Sequence, residues 1–292
     1  MKKYTVLIVG GSGLIGQRLK YHFKKLSYNV KILSRRKNAE FYWNPDQQEF
    51  DVSILNDVDY IINLCGSRID QKWTTKRKKE IYSSRVDTTS FLISHINSSK
   101  KKIKKYIGVS AIGYYNYNEI LKHESSKQGN HFLSQICSDW EKQSLKIKNV
   151  SCCLLRIGVV LSKNGGMLKK LLFPFSMYLG ASLANGEQKM SWVHIDDVCR
   201  MIIYCMKNTN NGIFNCVSPN PVSNKEFSEK LAKMLKKRIW LPNIPAYLLK
   251  IIFGEMATLI LGSLNVSSKK IEKSGFKFNF RKLDEALKDL ID

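Results

Sequence analysis

The chain has 292 residues, 43% of them hydrophobic, with a mean hydropathy of −0.25, which describes a globular protein able to bury a sizeable core in one large or two modest domains. Lys and Arg number 48 against 24 Asp and Glu, a net charge of +24 that attracts polyanions in general. That surplus is scattered; its two dense runs, Lys76-Arg77-Lys78-Lys79 and Lys100 to Lys105, read as solvated helix faces or ends without interleaved aromatic residues, so no specific nucleic-acid partner is expected.

In chain order, Tyr4 to Val9 is a continuous β-rich run, Gly10-Gly11-Ser12-Gly13 is a sharp turn, and Leu14-Ile15-Gly16 opens an amphipathic helix. Gly11, Gly13 and Gly16 satisfy G-x-G-x-x-G, and Gly10, Gly13 and Gly16 satisfy the variant G-x-x-G-x-x-G. A chain that reverses this tightly brings its backbone against a pyrophosphate with no Cβ in the way. The helix that follows presents unpaired N–H groups and a positive dipole end to the phosphates. Gly10, Ser12, Gly13, Leu14, Ile15 and Gly16 are therefore the expected dinucleotide-binding residues.

Gln17 to Leu26 reads as a helix, and Asn29 to Leu33 as the second strand, ending in Ser34-Arg35-Arg36. An NAD site usually places an acid here to bond the ribose 2′-hydroxyl; a hydroxyl followed by guanidinium groups suits a 2′-phosphate instead. Ser34 and Arg35 therefore point to NADP as cofactor. Phe41-Tyr42-Trp43 is a short strand, Asp59 to Leu64 a buried parallel-type strand ending at Cys65-Gly66, and Trp73 to Ile96 one long helical pattern. Tyr106 to Ser110 is the next strand, His131 to Ile147 a helix, and Cys152 to Arg156 another strand. This alternation predicts an α/β fold built on a doubly wound parallel sheet.

In the second half, Gly165-Gly166 precedes an apolar helix that Pro174-Phe175 ends. Ser223 caps a helix with Glu226 three residues later. His194 reads as stabilising the turn before a helix capped by Asp196 or Asp197. Ile244 to Leu264, interrupted by Lys250 and Glu255, reads as a buried amphipathic helix and not a membrane span. The organisation expected is a cofactor domain over 1–235, with a substrate-side insert at about 163–190, and a smaller, mostly helical portion over 240–290. Seven cysteines, an odd number without C-x-x-C or ligand-type spacing to histidine, imply reduced thiols and no metal. With the first strand starting at once, no signal peptide is expected and a cytoplasmic location is.

These blocks resemble a known family. Asn63-Leu64-Cys65-Gly66, Trp73 with Lys79-Glu80-Ile81, Ser84-Arg85, Gly113-Tyr114-Tyr115, Arg156 to Leu161, Ser191 to Asp197 and Gly254-Glu255-Met256 are similar to the epimerase-family branch of the extended short-chain dehydrogenase/reductases. The resemblance runs from near residue 4 to near residue 287. It implies that Leu64 and Cys65 cover the adenine or ribose side, that Glu80 and Arg85 reach in from the long helix, and that Val160 approaches the nicotinamide. It also implies catalysis by a Ser/Tyr/Lys set, in which Ser110 takes the serine's place. The matching Y-x-x-x-K is absent; its positions hold Cys137 and Glu141, leaving Tyr114 or Tyr115, in the loop after Ser110, as the candidate phenol, with an activated Cys137 thiol as a further candidate. The function implied is an NADP(H)-dependent oxidoreductase or epimerase on a small, nucleotide-sugar-like substrate, monomeric or homodimeric. The alternative is a catalytically degenerate NADP(H)-binding protein that reports redox state through a protein partner.

Overall fold

A computed structural model describes residues 4–36, 39–208 and 211–292. The chain starts with β1 (Thr5–Val9), whose five side chains are all buried, as a run apolar on both faces requires. Then come α1 (Leu14–Lys25), β2 (Asn29–Ser34), β3 (Phe41–Asn44), β4 (Glu49–Phe50) and β5 (Tyr60–Asn63). The stretch expected as one long helix is two, α2 (Thr75–Ser83) and α3 (Val86–Ser98). It breaks at Ser84-Arg85, where Ser84 accepts a hydrogen bond from the Ser67 backbone N–H and the Arg85 guanidinium turns inward to the Ile81 and Ser67 carbonyls.

β6 (Lys105–Ala111), β7 (Asn118–Lys122), α4 (Phe132–Ser144), β8 (Ser151–Ile157) and β9 (Val159–Leu161) follow. α5 (Gly166–Ser176) runs through Pro174 and does not stop there. The proline falls in the last turn, where it withdraws the N–H that the Lys170 carbonyl would accept, and the helix runs only two residues further. β10 (Lys189–Met190), β11 (Trp192–His194), α6 (Ile195–Lys207), β12 (Gly212–Cys216) and β13 (Val222–Ser223) lead to α7 (Asn224–Met234). The chain ends with α8 (Ala246–Phe253), α9 (Ala257–Leu261), β14 (Leu264–Val266), α10 (Lys269–Lys273) and α11 (Leu283–Ile291).

Eight strands form one sheet in the order β12-β8-β6-β5-β1-β2-β3-β4. All its pairs are parallel except β3 with β4. Alternate residues of β1 enter two separate cores. Val6 and Ile8 pack with Leu19 and Phe23 of α1 and Ile202 of α6, while Leu7 and Val9 pack with Leu92 and Ile93 of α3. Helices thus cover both faces, as expected of a doubly wound sheet. The chain winds outward from β1 through β2 and returns at β5, so a crevice opens at the C-terminal ends of β1 and β5. A third core lies under α5, α7 and α11, built on Leu168, Phe227, Leu231 and Leu287.

The 244–264 stretch departs from its expected burial. It is broken at Gly254, whose φ of +58° suits glycine, and on α8 Leu249 is the buried position, while Tyr247 and Ile251 are 67% and 70% exposed.

Candidate cofactor site

The glycine turn lies at the crevice. Gly10 has a φ of +74° and its N–H donates to the Leu33 carbonyl at 2.9 Å; a Cβ there would stand 3.0 Å from the Leu64 carbonyl. Gly13 is the N-cap of α1 and its N–H donates to the Gly10 carbonyl at 3.1 Å. A Cβ on Gly16 would meet the Gly11 backbone at 2.5 Å, so the helix and the turn touch because neither carries a side chain there. Leu14 packs towards Gly165, and Ile15 faces the core beside α1. No side chain caps α1 and its first turn holds no acid, leaving its N-terminal N–H groups to a ligand.

At the end of β2, Ser12 and Ser34 hydroxyls lie 3.2 Å apart, and Ser34 Oγ accepts from the Arg36 N–H at 3.3 Å. Arg35 is exposed beside them, and its charge reaches the Cys65 thiol. Burial pushes that thiol up to about 12 against the pull of Arg35 and Arg85, so it stays protonated near neutral pH. The Cys65 N–H is itself held by Asn63 Oδ1 at 3.1 Å.

Glu80 and Arg85 take separate places. Glu80 is exposed on α2, paired with Arg77 at 2.6 Å. Arg85 points inward, donating to the Ser67 carbonyl at 2.9 Å and the Ile81 carbonyl at 3.1 Å, with its guanidinium 5.5 Å from the Trp140 ring centre. Among the described residues no carboxylate pairs with it, and burial lowers its pKa to about 10. A half-buried guanidinium with no carboxylate partner among the described residues, beside a cradle that any Cβ would fill, fits an anionic dinucleotide.

Beyond it, Ser110 Oγ is buried without a well-formed hydrogen bond, next to the Cys137 thiol. Burial first, then Glu141, raise that thiol to about 11, so it stays protonated near neutral pH. Glu141 is engaged by Arg156, and the Tyr114 ring lies over the Arg156 guanidinium at 3.5 Å. Tyr115 donates to Asn215 Oδ1 at 2.7 Å and is committed to the core. The phenol that sequence reasoning missed is Tyr117. Its hydroxyl is buried without a partner, its ring stacks on His131 at 4.2 Å, and Gly262 packs against it. Tyr117 lines a hollow of about 490 Å³ with Gln188 and Lys250. It stands outside every motif spacing, so nothing in the sequence marked it. Val160 is half-buried in β9, its carbonyl close to Gly166.

His194 is a structural residue, but by another route than expected. It is itself the N-cap of α6, its Nδ1 accepting from the Asp196 N–H at 3.1 Å. Asp196 pairs with Arg18 and His22 instead, and Asp197 accepts from the Asn279 and Phe280 N–H groups.

The sheet order, the glycine turn at its switch point and the added C-terminal elements define a dinucleotide-fold protein of the extended reductase type. The chain belongs to the NAD-dependent epimerase/dehydratase family, whose model matches residues 6–216; a domain of unknown function matches 244–290. It is 32% identical over 301 residues to the chloroplastic epimerase family protein SDR39U1 homolog of Arabidopsis thaliana, covering 98% of this chain and 86% of that one. It is 34% identical over 297 residues to an epimerase family protein of Mycobacterium bovis, covering 98% and 97%. Among solved structures, human epimerase family protein SDR39U1 with NADPH matches with a TM-score of 0.91 and 26% identity over 98% of each chain. UDP-N-acetylglucosamine 4-epimerase from Bacillus cereus matches at 0.77 and 18%, covering 99% and 98%, a likeness of fold alone.

Proposed function

We propose that this protein binds NADP(H) and is an oxidoreductase or epimerase acting on a small, sugar-like substrate held between the sheet and the C-terminal portion. The observation that carries the cofactor choice is the end of β2: two hydroxyls and an exposed guanidinium, with no acid, where a 2′-phosphate would lie. The likeness to a structure solved with NADPH supports the same reading. Gly10, Ser12, Gly13 and the N-terminal turn of α1 would hold the pyrophosphate, Ser34 and Arg35 the extra phosphate, and Leu64, Cys65, Glu80, Arg85 and Val160 the remainder. The bound nicotinamide would supply hydride chemistry. Ser110 would orient a substrate oxygen, and the Tyr114 phenol, carried by the loop after Ser110, would hold the proton.

Titration calorimetry with NADPH and NADH tests this directly. Tight binding of NADPH, weaker binding of NADH, and loss of the difference in Arg35→Asp support it. No heat with NADPH, or equal affinities, overturns it.

One observation favours a second reading, a cofactor-binding protein without turnover. Where the family's tyrosine and lysine stand, this chain has a protonated thiol and a carboxylate already bound by Arg156. Turnover that falls sharply in Ser110→Ala or Tyr114→Phe, with NADPH affinity kept, excludes it.

A further inference from the structure

Large apolar side chains left in water concentrate in one region of this molecule. On α8, Tyr247, Leu248, Ile251 and Ile252 are spaced as one helical face and are 67%, 39%, 70% and 53% exposed. Residues of the two segments joined to the start of that helix share the property: Phe173 and Leu179, around the end of α5, are 71% and 57% exposed, and Trp240 is 67% exposed. These segments are neighbours in space. Leu183 bridges to Ile244, the Ala184 N–H donates to the Ile244 carbonyl at 2.8 Å, and Lys237 lies over the Tyr178 ring at 4.1 Å. An apolar face of this kind on one side of a water-exposed protein marks a contact surface.

Its charge says what it contacts. Residues 163–186 and 230–254, which carry these apolar side chains, contain no Asp or Glu, while Lys169, Lys236, Arg238 and Lys250 stand exposed in the same two segments. A second copy placed on this face by a two-fold axis would set lysine against lysine, in a chain already carrying +24. A helix with bulky apolar and aromatic residues on one face and a basic border instead matches a lipid interface with negative headgroups.

We propose that this face docks on the surface of an anionic phospholipid bilayer, with α8 lying in the interface and the basic border on the headgroups. No helix of the described residues is long and apolar enough to cross a membrane, so the contact is peripheral. Ala246 and Lys250 of the same helix line the Tyr117 hollow, which docking would bring to the bilayer surface.

Trp240 makes the test specific, because Trp43, Trp73, Trp140 and Trp192 are at most 8% exposed. The full chain would be mixed with vesicles of phosphatidylcholine alone or with a one-third share of phosphatidylglycerol, following tryptophan emission and co-sedimentation. Expected are a blue shift and pelleting with the anionic vesicles only, weakened by salt. The double variant Ile251→Glu, Ile252→Glu should bind about tenfold less or weaker still, with its thermal unfolding and NADPH affinity kept. Equal binding to both vesicle types overturns the proposal, as does a variant that pellets like the parent, which would leave bulk charge as the cause. So does absence from both vesicle types, including the case in which sedimentation shows a dimer that the double variant abolishes, since another copy would then cover the face.

Discussion

Glu141 and Arg156 meet in a two-point ion pair, Nε to Oε1 at 2.8 Å and Nη2 to Oε2 at 2.7 Å, with the side chains only 5% and 2% exposed. The pair ties α4 to β8. Tyr115 adds a hydrogen bond from Arg156 to its hydroxyl at 2.9 Å, and the Glu124 carbonyl another at 3.2 Å. A carboxylate held this way positions α4 against β8, a role in the fold for the acid found where the family resemblance implies a lysine.

Removing one partner leaves the other charge buried. Glu141→Ala is expected to cost about 3–5 kcal/mol, read as a fall in melting temperature of about 10 °C for a chain of this size. A loss of under a degree in differential scanning calorimetry would mean the pair contributes nothing net.

Among the described residues two buried hydroxyls lack good partners, Ser110 Oγ and Tyr117 Oη. Deleting an unsatisfied buried hydroxyl relieves its desolvation cost, so Ser110→Ala and Tyr117→Phe should be as stable as the parent or slightly more so, within about 1 kcal/mol. If either variant also loses turnover, the hydroxyl serves substrate and not the fold. Urea unfolding compared with substrate-panel assays separates the two.

Gly16→Ala places a Cβ 2.5 Å from the Gly11 backbone, a contact that must open the turn. We expect NADPH affinity to fall by at least about tenfold, with a stability loss of 1–3 kcal/mol on the scale of an overpacked core. Calorimetric titration of the variant showing parental affinity would remove the turn from the binding site.

Acid stability has a named contributor. Burial opposes the charge on Asp196, but hydrogen bonds from Arg18 and His22 outweigh it and hold the carboxyl well below the ordinary carboxylate range. Its stabilisation is therefore complete above the unfolded value near 4 and is lost as pH falls below that towards the folded one. Chemical denaturation at pH 7 and pH 3 should show a smaller acid loss in Asp196→Asn than in the parent. Equal slopes for both would refute the assignment.

Thiol chemistry follows burial. Six of the seven cysteines are buried, and Cys152 is half-buried. Burial raises Cys65 to about 12 and Cys137 to about 11, so few thiolates exist at pH 8. Burial raises half-buried Cys152 to about 12 as well, so a chromogenic disulfide reagent should find at most one slow thiol in the native protein and seven after denaturation. Rapid reaction of Cys137 would contradict its placement.

By itself the sequence determined the parallel sheet, the glycine turn at its switch point and the hydroxyl–arginine end of β2. These are local: strand runs, a turn that admits no Cβ and a strand terminus each write their requirement into adjacent residues. Through the family resemblance it also put Cys137 and Glu141 at the positions expected for Tyr and Lys. Tertiary structure alone decided what those positions do. That Glu141 is paired with Arg156, that Arg85 turns inward to the Ser67 carbonyl and the Trp140 ring, and that Tyr117 meets Gly262 all depend on contacts between separate segments of the chain, which no spacing rule encodes. The same holds for α8. Its residues read as a core helix because hydropathy measures what a side chain would gain from burial, and only the packing around it shows that the burying surface is not part of this chain's described fold.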